Sequence, residues 1–383
     1  MATSLVVLAV FVVMTANTTI LATVGLFGRA AGIGEIEVGI VISSSALLFV
    51  LTSSHWGGVS DRSGRRPVIL WGLGGAVVSI LLFAAVFAVE PGTAAASLVF
   101  AALLGARLLY GVLCGGVQPA GVAYMADVSS DTARTRGVAA IGFAVGLGGM
   151  AGPLLVAASV DRGFAVPALV STALVLPVAF AALVFLRDSP GKAESPEHRR
   201  SASGNIGRLF LLAFAIHFAM AGLQATNAFY VQDLLRLGTI DALRYSSLLS
   251  ATFAAGSLVA QLLAGRASAR RPAALLQIGL AICFVACLAC SVATGFVPLL
   301  VAFAAFGGGF ALIQTGLLTV ASLANGPDRQ GWVAGQLHAA MAAAWIAGPV
   351  VGAALYNVWP VGPFALTAVA TITGLLLVRP AMR

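Results

Sequence analysis

Arg107 is the side chain with the clearest capacity for chemistry, because it lies 12 residues inside a long apolar run. If such a run crosses a bilayer, a cation near its middle costs about 2.5–3.5 kcal/mol and normally faces a partner or a wet cavity. Tyr110, Gly111, Cys114 and Gln118 follow at helical spacing on the same face. This small, polar face indicates the wall of a binding cavity or, alternatively, a structural arginine bonded to a neighbouring helix.

Other polar side chains interrupt runs that are otherwise apolar. They are Asn17, His217, Gln224, Asn227, Gln314 and His338. Each could line a cavity or form one of the interhelical hydrogen bonds that pack membrane helices. None of the 13 acidic residues falls clearly in the middle of an apolar run. The candidates for carrying a proton are therefore His217 and His338, which titrate near neutrality, with Arg107 tuning the surroundings.

The composition indicates that these runs lie in a membrane. Hydrophobic residues make up 60% of the chain, charged residues make up 9%, and the mean hydropathy is +1.02. Soluble domains average roughly 25% charged residues, and disordered chains combine low hydrophobicity with high charge. The net charge of +8 comes from short, scattered basic clusters. No basic face forms, so the sequence does not predict a nucleic-acid partner.

Twelve apolar runs are long enough to cross a bilayer, which takes about 20 residues. They cover residues 5–27, 36–56, 67–89, 95–124, 137–160, 164–186, 206–231, 242–264, 272–294, 297–324, 331–356 and 360–378. Backbone polar groups in lipid must be bonded within the segment, so we predict that all of these runs are helices. The predicted fold class is an all-α polytopic membrane protein with two pseudo-symmetric six-helix bundles.

The longest polar stretch lies near the middle of the chain. It predicts an N-terminal bundle at 1–186, a flexible cytoplasmic linker at 187–205 and a C-terminal bundle at 206–383. The loops on one side of the predicted membrane hold 16 Lys and Arg residues, and those on the other side hold 4. The positive-inside rule then places both termini in the cytoplasm, and we expect a bacterial-type inner membrane.

Two pairs of short segments recur at corresponding places in the two halves. DRSGRRP follows the second run and RASARRP follows the eighth, where Arg266 stands in place of Asp61. GMAGPLLVA lies in the fifth run and WIAGPVVGA lies in the eleventh. Internal repeats of this kind build transporters whose binding site lies between the halves, near the bilayer midplane.

The loop after the second run resembles the signature of the major facilitator superfamily, and the resemblance extends over essentially the whole chain. The family signature G-x-L-A-D-R-x-G-R-K is matched by GGVSDRSGRR at residues 57–66. The fourth-helix signature R-x-x-x-G is matched by Arg107 and Gly111. The best match is to the 12-helix drug:proton antiporter branch, which includes the tetracycline exporters.

The antiporter signature of the fifth helix, G-x-x-x-G-P-x-x-G-G, is matched in part. The matching residues are Gly148, Gly152 and Pro153. Val156 and Ala157 replace the last two glycines, so the chain departs from the signature there. We interpret the three matches as a bending and sealing seam against the eighth helix or the other half, with ordinary tight packing as the alternative.

The resemblance implies further roles. An Asp–Arg–Asp group holds the halves together on the cytoplasmic side in the family, which implies a gate made by Asp61, Arg62, Arg65 and Asp127. Helices one, four, seven and ten line the central cavity in the family. This implies that the substrate cavity contains Asn17, Arg107, Tyr110, Gln118, Gln224, Asn227 and Gln314.

The sequence has no ATP-binding loop of the G-x4-G-K-[ST] type, so an ion gradient is the natural source of energy. We expect a secondary transporter, and not an enzyme, that exports a small amphipathic or anionic compound in exchange for protons. An importer or uniporter with the same fold is the alternative, and a non-transporting sensor or membrane enzyme is a further one. We expect a monomer in lipid with no cofactor and no metal.

Overall fold

The structure is a computed structural model, and it describes residues 2–128, 131–189, 206–267, 272–323 and 330–378. These ranges contain helices and no β-strand. The helices are α1 (Ala2–Ala30), α2 (Glu35–Ser63), α3 (Arg65–Phe87), α4 (Ala96–Cys114), α5 (Val117–Val128), α6 (Asp131–Ser159), α7 (Ala165–Phe185), α8 (Ile206–Leu235), α9 (Thr239–Ala267), α10 (Pro272–Ser291), α11 (Phe296–Leu323), α12 (Gln330–Val358) and α13 (Gly362–Val378). The all-α fold class is confirmed.

Within the described residues, 11 helical segments are long and apolar enough to cross a membrane. One of these segments, Ala96–Val128, combines α4 and α5. Helix α13 is also apolar but has 17 residues, so it is slightly shorter than the others. The protein is therefore a multi-pass membrane protein, with a helix at the position of each predicted run.

The fourth run differs from the single helix predicted over residues 95–124. It is interrupted at Gly115 and Gly116 and then continues to Val128. Two successive glycines weaken a helix, and Pro119 has no N–H to offer the carbonyl group of Gly115. Helix α5 begins again with a bond of 2.9 Å from the Ala120 N–H to the Gly116 carbonyl oxygen.

The chain separates into two compact units, Met1–His198 and Arg199–Arg383. In the first unit, α1 packs against α6 and α7, α2 against α4, and α3 against α4 and α7. In the second unit, α8 packs against α12 and α13, α9 against α11, and α10 against α11 and α13. We number the spans from the start of each unit and count α4 and α5 as one span. The pairs of spans that pack together then have the same numbers in both units. The sequence repeat is therefore also a repeat of helix packing.

The glycines of the predicted seam lie against α1 of their own unit. A Cβ atom at Gly148 would lie 2.8 Å from the Phe11 carbonyl oxygen, and one at Gly152 would lie 2.6 Å from the Thr15 carbonyl oxygen. Pro153 lies inside α6. Small residues let membrane helices approach this closely. Within the first unit these two glycines therefore serve close packing against α1, and the seam against the eighth helix or the other half stays a prediction.

The second unit has the corresponding crossing between α8 and α12. A Cβ atom at Gly348 would lie 2.7 Å from the Phe218 carbonyl oxygen, and one at Gly352 would overlap the Cα atom of Gly222. In both units, the first and fifth spans therefore approach through glycine. Because α6 and α12 cover one face of α1 and α8, only side chains on the other faces of α1 and α8 can contribute to a site.

Candidate functional site

Arg107 is a buried cation without an acidic partner. Its residue is 4% exposed and lies about 17 Å along α4 from Ala96. The Nη1 atom donates a hydrogen bond to Asn17 Oδ1 of α1 at 2.9 Å, and the guanidinium group lies 5.2 Å from the centre of the Tyr110 ring. Among the described residues, Nε has no hydrogen-bond partner and no carboxylate pairs with Arg107. The site therefore retains an uncompensated positive charge.

The hydroxyl groups of α1 are engaged within the protein. Thr15 donates to the Phe11 carbonyl oxygen, Thr19 donates to the Thr15 carbonyl oxygen, and Thr18 reaches the Gly148 carbonyl oxygen of α6 at 2.9 Å. Such bonds leave these hydroxyl groups little capacity to contact Arg107. The Asn17 amide is therefore the α1 side-chain group that contacts the guanidinium group.

Gln118 differs from Arg107 in its exposure, and its predicted place in the cavity stays a prediction. It follows the interruption at Gly115 and Gly116 and is exposed, whereas Arg107, Tyr110 and Cys114 are buried. The buried positions continue across the interruption at helical spacing, through Val117, Gly121 and Tyr124. The two adjacent glycines followed by Pro119 are the sequence signal for the interruption itself.

In the second unit, the Gln314 side chain lies beside the His217 ring, and His338 acts on that ring electrostatically. The buried His217 ring has Nδ1 2.8 Å from the Ala213 carbonyl oxygen, and the Gln314 side chain of α11 lies beside it. The exposed His338 of α12 lies within electrostatic reach of the same ring. The Gln314 Oε1 atom is buried and accepts no hydrogen bond from the described residues.

Asn227 and Gln224, the other two residues predicted in the second unit, differ in burial. Asn227 is buried, and its amide donates to the Ser246 carbonyl oxygen at 3.4 Å and to Ser250 Oγ at 3.2 Å, both on α9. Its Oδ1 atom has no hydrogen-bond partner among the described residues. Gln224, one turn earlier in α8, is exposed.

A charge cluster, which we define as Asp61, Arg65 and Asp127, lies where α2, α3 and α5 meet. Arg65 Nη1 pairs with Asp61 Oδ1 at 2.5 Å, and Arg65 Nε pairs with Asp127 Oδ2 at 2.9 Å. Arg65 Nη1 also donates to Ser60 Oγ at 2.9 Å. Arg65 therefore connects Asp127 of α5 to the loop after the second run. Arg62 is exposed and lies outside this cluster.

Residues 187–189 pack beside the charge cluster, although we predicted them as the start of a flexible linker. Ser189 Oγ donates to Asp127 Oδ2 at 3.2 Å, and Asp188 Oδ1 accepts the Arg66 backbone N–H at 3.3 Å. Gly64 alone connects α2 to α3, with φ of 88°, and a Cβ atom there would overlap the Asp188 carboxylate. No spacing in the sequence indicates this contact, because it depends on how the chain returns after α7. The rest of the predicted linker, 190–205, lies outside the described residues.

We expect the two acids of the charge cluster to contribute unequally to stability. The side chain of Asp127 is 13% exposed and that of Asp61 is 56% exposed. Exposed ion pairs contribute about 0–1 kcal/mol, whereas breaking a buried pair costs about 3–5 kcal/mol. Asp127→Asn should therefore lower the melting temperature of the purified protein clearly more than Asp61→Asn does. An equal or larger effect of Asp61→Asn would contradict this ranking.

Comparison with known proteins identifies the family of this chain. The Major Facilitator Superfamily profile matches residues 6–336. The mouse protein "Major facilitator superfamily domain-containing protein 10" is 26% identical over 356 residues, covering 83% of this chain and 72% of the relative. "Multidrug resistance protein 2" of Bacillus subtilis is 25% identical over 359 residues, covering 88% and 84%.

The fold agrees with a solved transporter structure. The structure of the human organic anion transporter MFSD10 (TETRAN) superposes with a TM-score of 0.70, at 21% sequence identity and with 98% of each chain covered. At this identity the similarity concerns the fold. The resemblance predicted from the loop and helix signatures is confirmed, and so is the expectation of a transporter rather than an enzyme. The chain therefore belongs to the Major Facilitator Superfamily.

Proposed function

We propose that this protein is a proton-coupled exporter of small amphipathic organic anions that works by alternating access. The observation that carries the proposal is the buried Arg107, whose Nε has no partner and which pairs with no described carboxylate. An anion would supply the missing negative charge, and the Tyr110 ring offers an apolar face beside it. The human relative with a similar fold is itself described as an organic anion transporter.

The remaining cavity residues are proposed to recognise the neutral part of the substrate. Asn17 holds Arg107 in place, and Asn227 and Gln314 each have a buried amide oxygen without a hydrogen-bond partner among the described residues. Gln118 and Gln224 are exposed and are proposed as outer contacts. Amide groups both donate and accept hydrogen bonds, so these residues would tolerate substrates of varied shape.

The proposed direction is export in exchange for protons, with both termini in the cytoplasm of a bacterial-type inner membrane. The similarity to a bacterial multidrug resistance protein supports this direction. Exchange of one internal anion for one external proton moves two charges across the membrane. Each charge contributes about 2.3 kcal/mol of driving free energy at a membrane potential of 100 mV. A pH difference of one unit adds about 1.4 kcal/mol. Arg107, His217 and His338 are the proposed coupling residues, and a monomer is the proposed working form.

The charge cluster and Arg62 are proposed to form the cytoplasmic gate. Asp61 is the exposed acid of the cluster, so its carboxylate can reach groups beyond Arg65. The outcome that distinguishes a gate from a purely structural role is a variant that stays folded but transports poorly. Asp61→Asn should keep a melting temperature close to that of the wild type and should lose most of the transport.

Binding of an anion is tested first with a matched pair of probes. The purified protein is melted in the presence of 4-methylbenzenesulfonate and of 4-methylbenzenesulfonamide, which have nearly the same shape but differ in charge. We expect the sulfonate to raise the melting temperature and the sulfonamide to leave it unchanged, because stabilisation requires binding to the folded state. Equal effects of the two probes would contradict recognition through Arg107.

Transport is tested in proteoliposomes preloaded with 4-methylbenzenesulfonate, which stays ionised over the pH range used. For antiport, acid outside should drive release of the probe, and an inside-negative potential should speed it because two charges move. The alternative importer would carry the anion together with a proton. When the probe is supplied outside instead, an importer would take it up under the same pH step and would not respond to the potential, since no net charge moves. A uniporter would respond to the potential and not to pH.

A further inference from the structure

We infer that His217 is the proton-binding residue of the second unit and that Gln314 Oε1 is the acceptor of the added proton. This inference rests on the proposed proton coupling. The two side chains lie on α8 and α11, which pack against each other and against α12. His217 is 4% exposed, so any proton that it binds must be held by protein groups rather than by bulk water.

One nitrogen of the ring already has a partner. His217 Nδ1 lies 2.8 Å from the Ala213 carbonyl oxygen, which can only accept a hydrogen bond. Nδ1 therefore carries the proton of the neutral ring, and Nε2 is left with a lone pair. The Phe310 ring packs edge-on against the imidazole with 5.3 Å between the ring centres, so the ring is held in this orientation.

Gln314 supplies an acceptor near the ring that is not in use. The Gln314 side chain lies next to the His217 ring, and its buried Oε1 has no hydrogen-bond donor among the described residues. A buried polar atom without a partner costs free energy and calls for an explanation. An imidazolium ion would donate from both nitrogens, to the Ala213 carbonyl oxygen and to Gln314 Oε1, and would satisfy every polar atom of this group.

The three polar residues lie at a common depth. Successive spans alternate in direction, so Ile206 of α8, Leu323 of α11 and Gln330 of α12 mark the same end of the unit. At 1.5 Å per residue, His217, Gln314 and His338 lie about 17, 14 and 12 Å from that end. The exposed His338 is therefore slightly closer to the end, which makes it the natural route by which a proton reaches the buried ring.

Few titratable groups lie near His217 on the described helices that pack around it. His338 on α12 is the titratable group that acts on the ring, and α11 contributes Gln314 and Phe310 there. Helix α13 carries no titratable residue. Helix α9 carries Asp241, Arg244 and Tyr245 near its start, at the opposite end of the unit from His217.

The direct test is a histidine NMR titration of the full chain in nanodiscs. The sequence has four histidines, and each ring is assigned by its own His→Gln variant. As the pH is lowered, the His217 ring should pass from one N–H to two. Gln314→Leu should lower the proton affinity of the ring at least about tenfold, which is one pH unit. Gln261→Leu, an exposed substitution on α9, is the matched control and should leave the titration unchanged.

Two results would overturn the inference: a His217 ring that keeps a single N–H throughout the titration, or a midpoint that Gln314→Leu does not move. Neither result depends on a substrate, so failure here is distinct from failure of the proposed function. If the wild type shows no proton-driven release of 4-methylbenzenesulfonate, the proposed function fails while the NMR titration still decides the role of His217.

Transport provides the second readout. His217→Asn keeps a side-chain N–H for the Ala213 carbonyl oxygen and cannot bind the added proton. We expect this variant to lose proton-driven release at least about 20-fold while it still exchanges internal for external probe. His55→Gln, which changes an exposed histidine of α2, is the control and should behave as the wild type. Unchanged proton-driven release by His217→Asn would contradict the assignment.

Discussion

Arg107→Ala is expected to reduce transport of an organic anion by about 100-fold or more, which corresponds to about 2.7 kcal/mol of lost binding free energy. The arginine is buried, and its Nε has no partner among the described residues. Under the proposed function, the bound anion supplies its counter-charge. Alanine cannot replace that interaction, and water reaches the site poorly. The measurement is proton-driven release of 4-methylbenzenesulfonate from proteoliposomes, with equal amounts of folded protein in each sample.

Two further variants define the origin of this effect. Arg107→Lys keeps the charge but loses the planar fork that binds carboxylates and sulfonates through two bonds, so we expect an intermediate rate. Arg208→Ala removes an exposed arginine at the start of α8 and should stay within about twofold of the wild type. Arg107→Ala should also remain folded, because the change removes an uncompensated buried charge and costs one bond, to Asn17. Near-normal transport by this variant would refute the site.

Gly152→Ala is expected to be the most damaging single-methyl change in the first unit. The added Cβ atom would overlap Thr18 Oγ1 and would also lie 2.6 Å from the Thr15 carbonyl oxygen and 2.7 Å from the Thr19 nitrogen. Two of these atoms belong to the α1 backbone, so a rotamer change cannot relieve the overlap. Overpacking typically costs about 1–3 kcal/mol. We expect a melting temperature several degrees below that of the wild type, together with a lower yield of monodisperse protein.

Gly149→Ala is the matched control for this prediction. It adds the same methyl group to the same helix, at a site where no heavy atom lies within 4 Å of the new Cβ. Replacing a helical glycine by alanine without a clash gains about 0.5–1 kcal/mol. The two variants should therefore move the melting temperature in opposite directions. Similar melting temperatures for both variants would contradict the prediction, because they would show that α1 and α6 can move apart at little cost in stability.

Much of the fold could be predicted because the bilayer imposes strong rules on sequence. Long apolar runs determine the spans. One arginine inside a run indicated a partner on a neighbouring helix, and that partner is Asn17 of α1. The Asp61–Arg65 pair could also be predicted, since residues four apart meet on one helical turn. These predictions depend on spacing along one helix or on one charged residue inside an apolar run, and both can be recognised in the sequence.

The contacts that could not be predicted depend on interhelical register. Gln314 contacts His217 across a boundary of uniformly apolar helices, and no periodicity shows which residues of α8 and α11 face each other. Asp188 and Ser189 reach the charge cluster because the chain returns there after α7. The interruption in the fourth span was visible as Gly-Gly and Pro119, but two glycines also fit a continuous, closely packed helix.

The interruption at Gly115 and Gly116 divides the fourth span into two helices, α4 and α5. Arg107 lies on α4, Asp127 lies on α5, and the Gly115–Gly116 pair joins them. A continuous helix would transmit a rotation of its upper part directly to its lower part. Because Pro119 cannot donate to the Gly115 carbonyl group, we expect this junction to bend more easily than a continuous helix. Arg107 on α4 and Asp127 on α5 should then be able to move partly independently of each other.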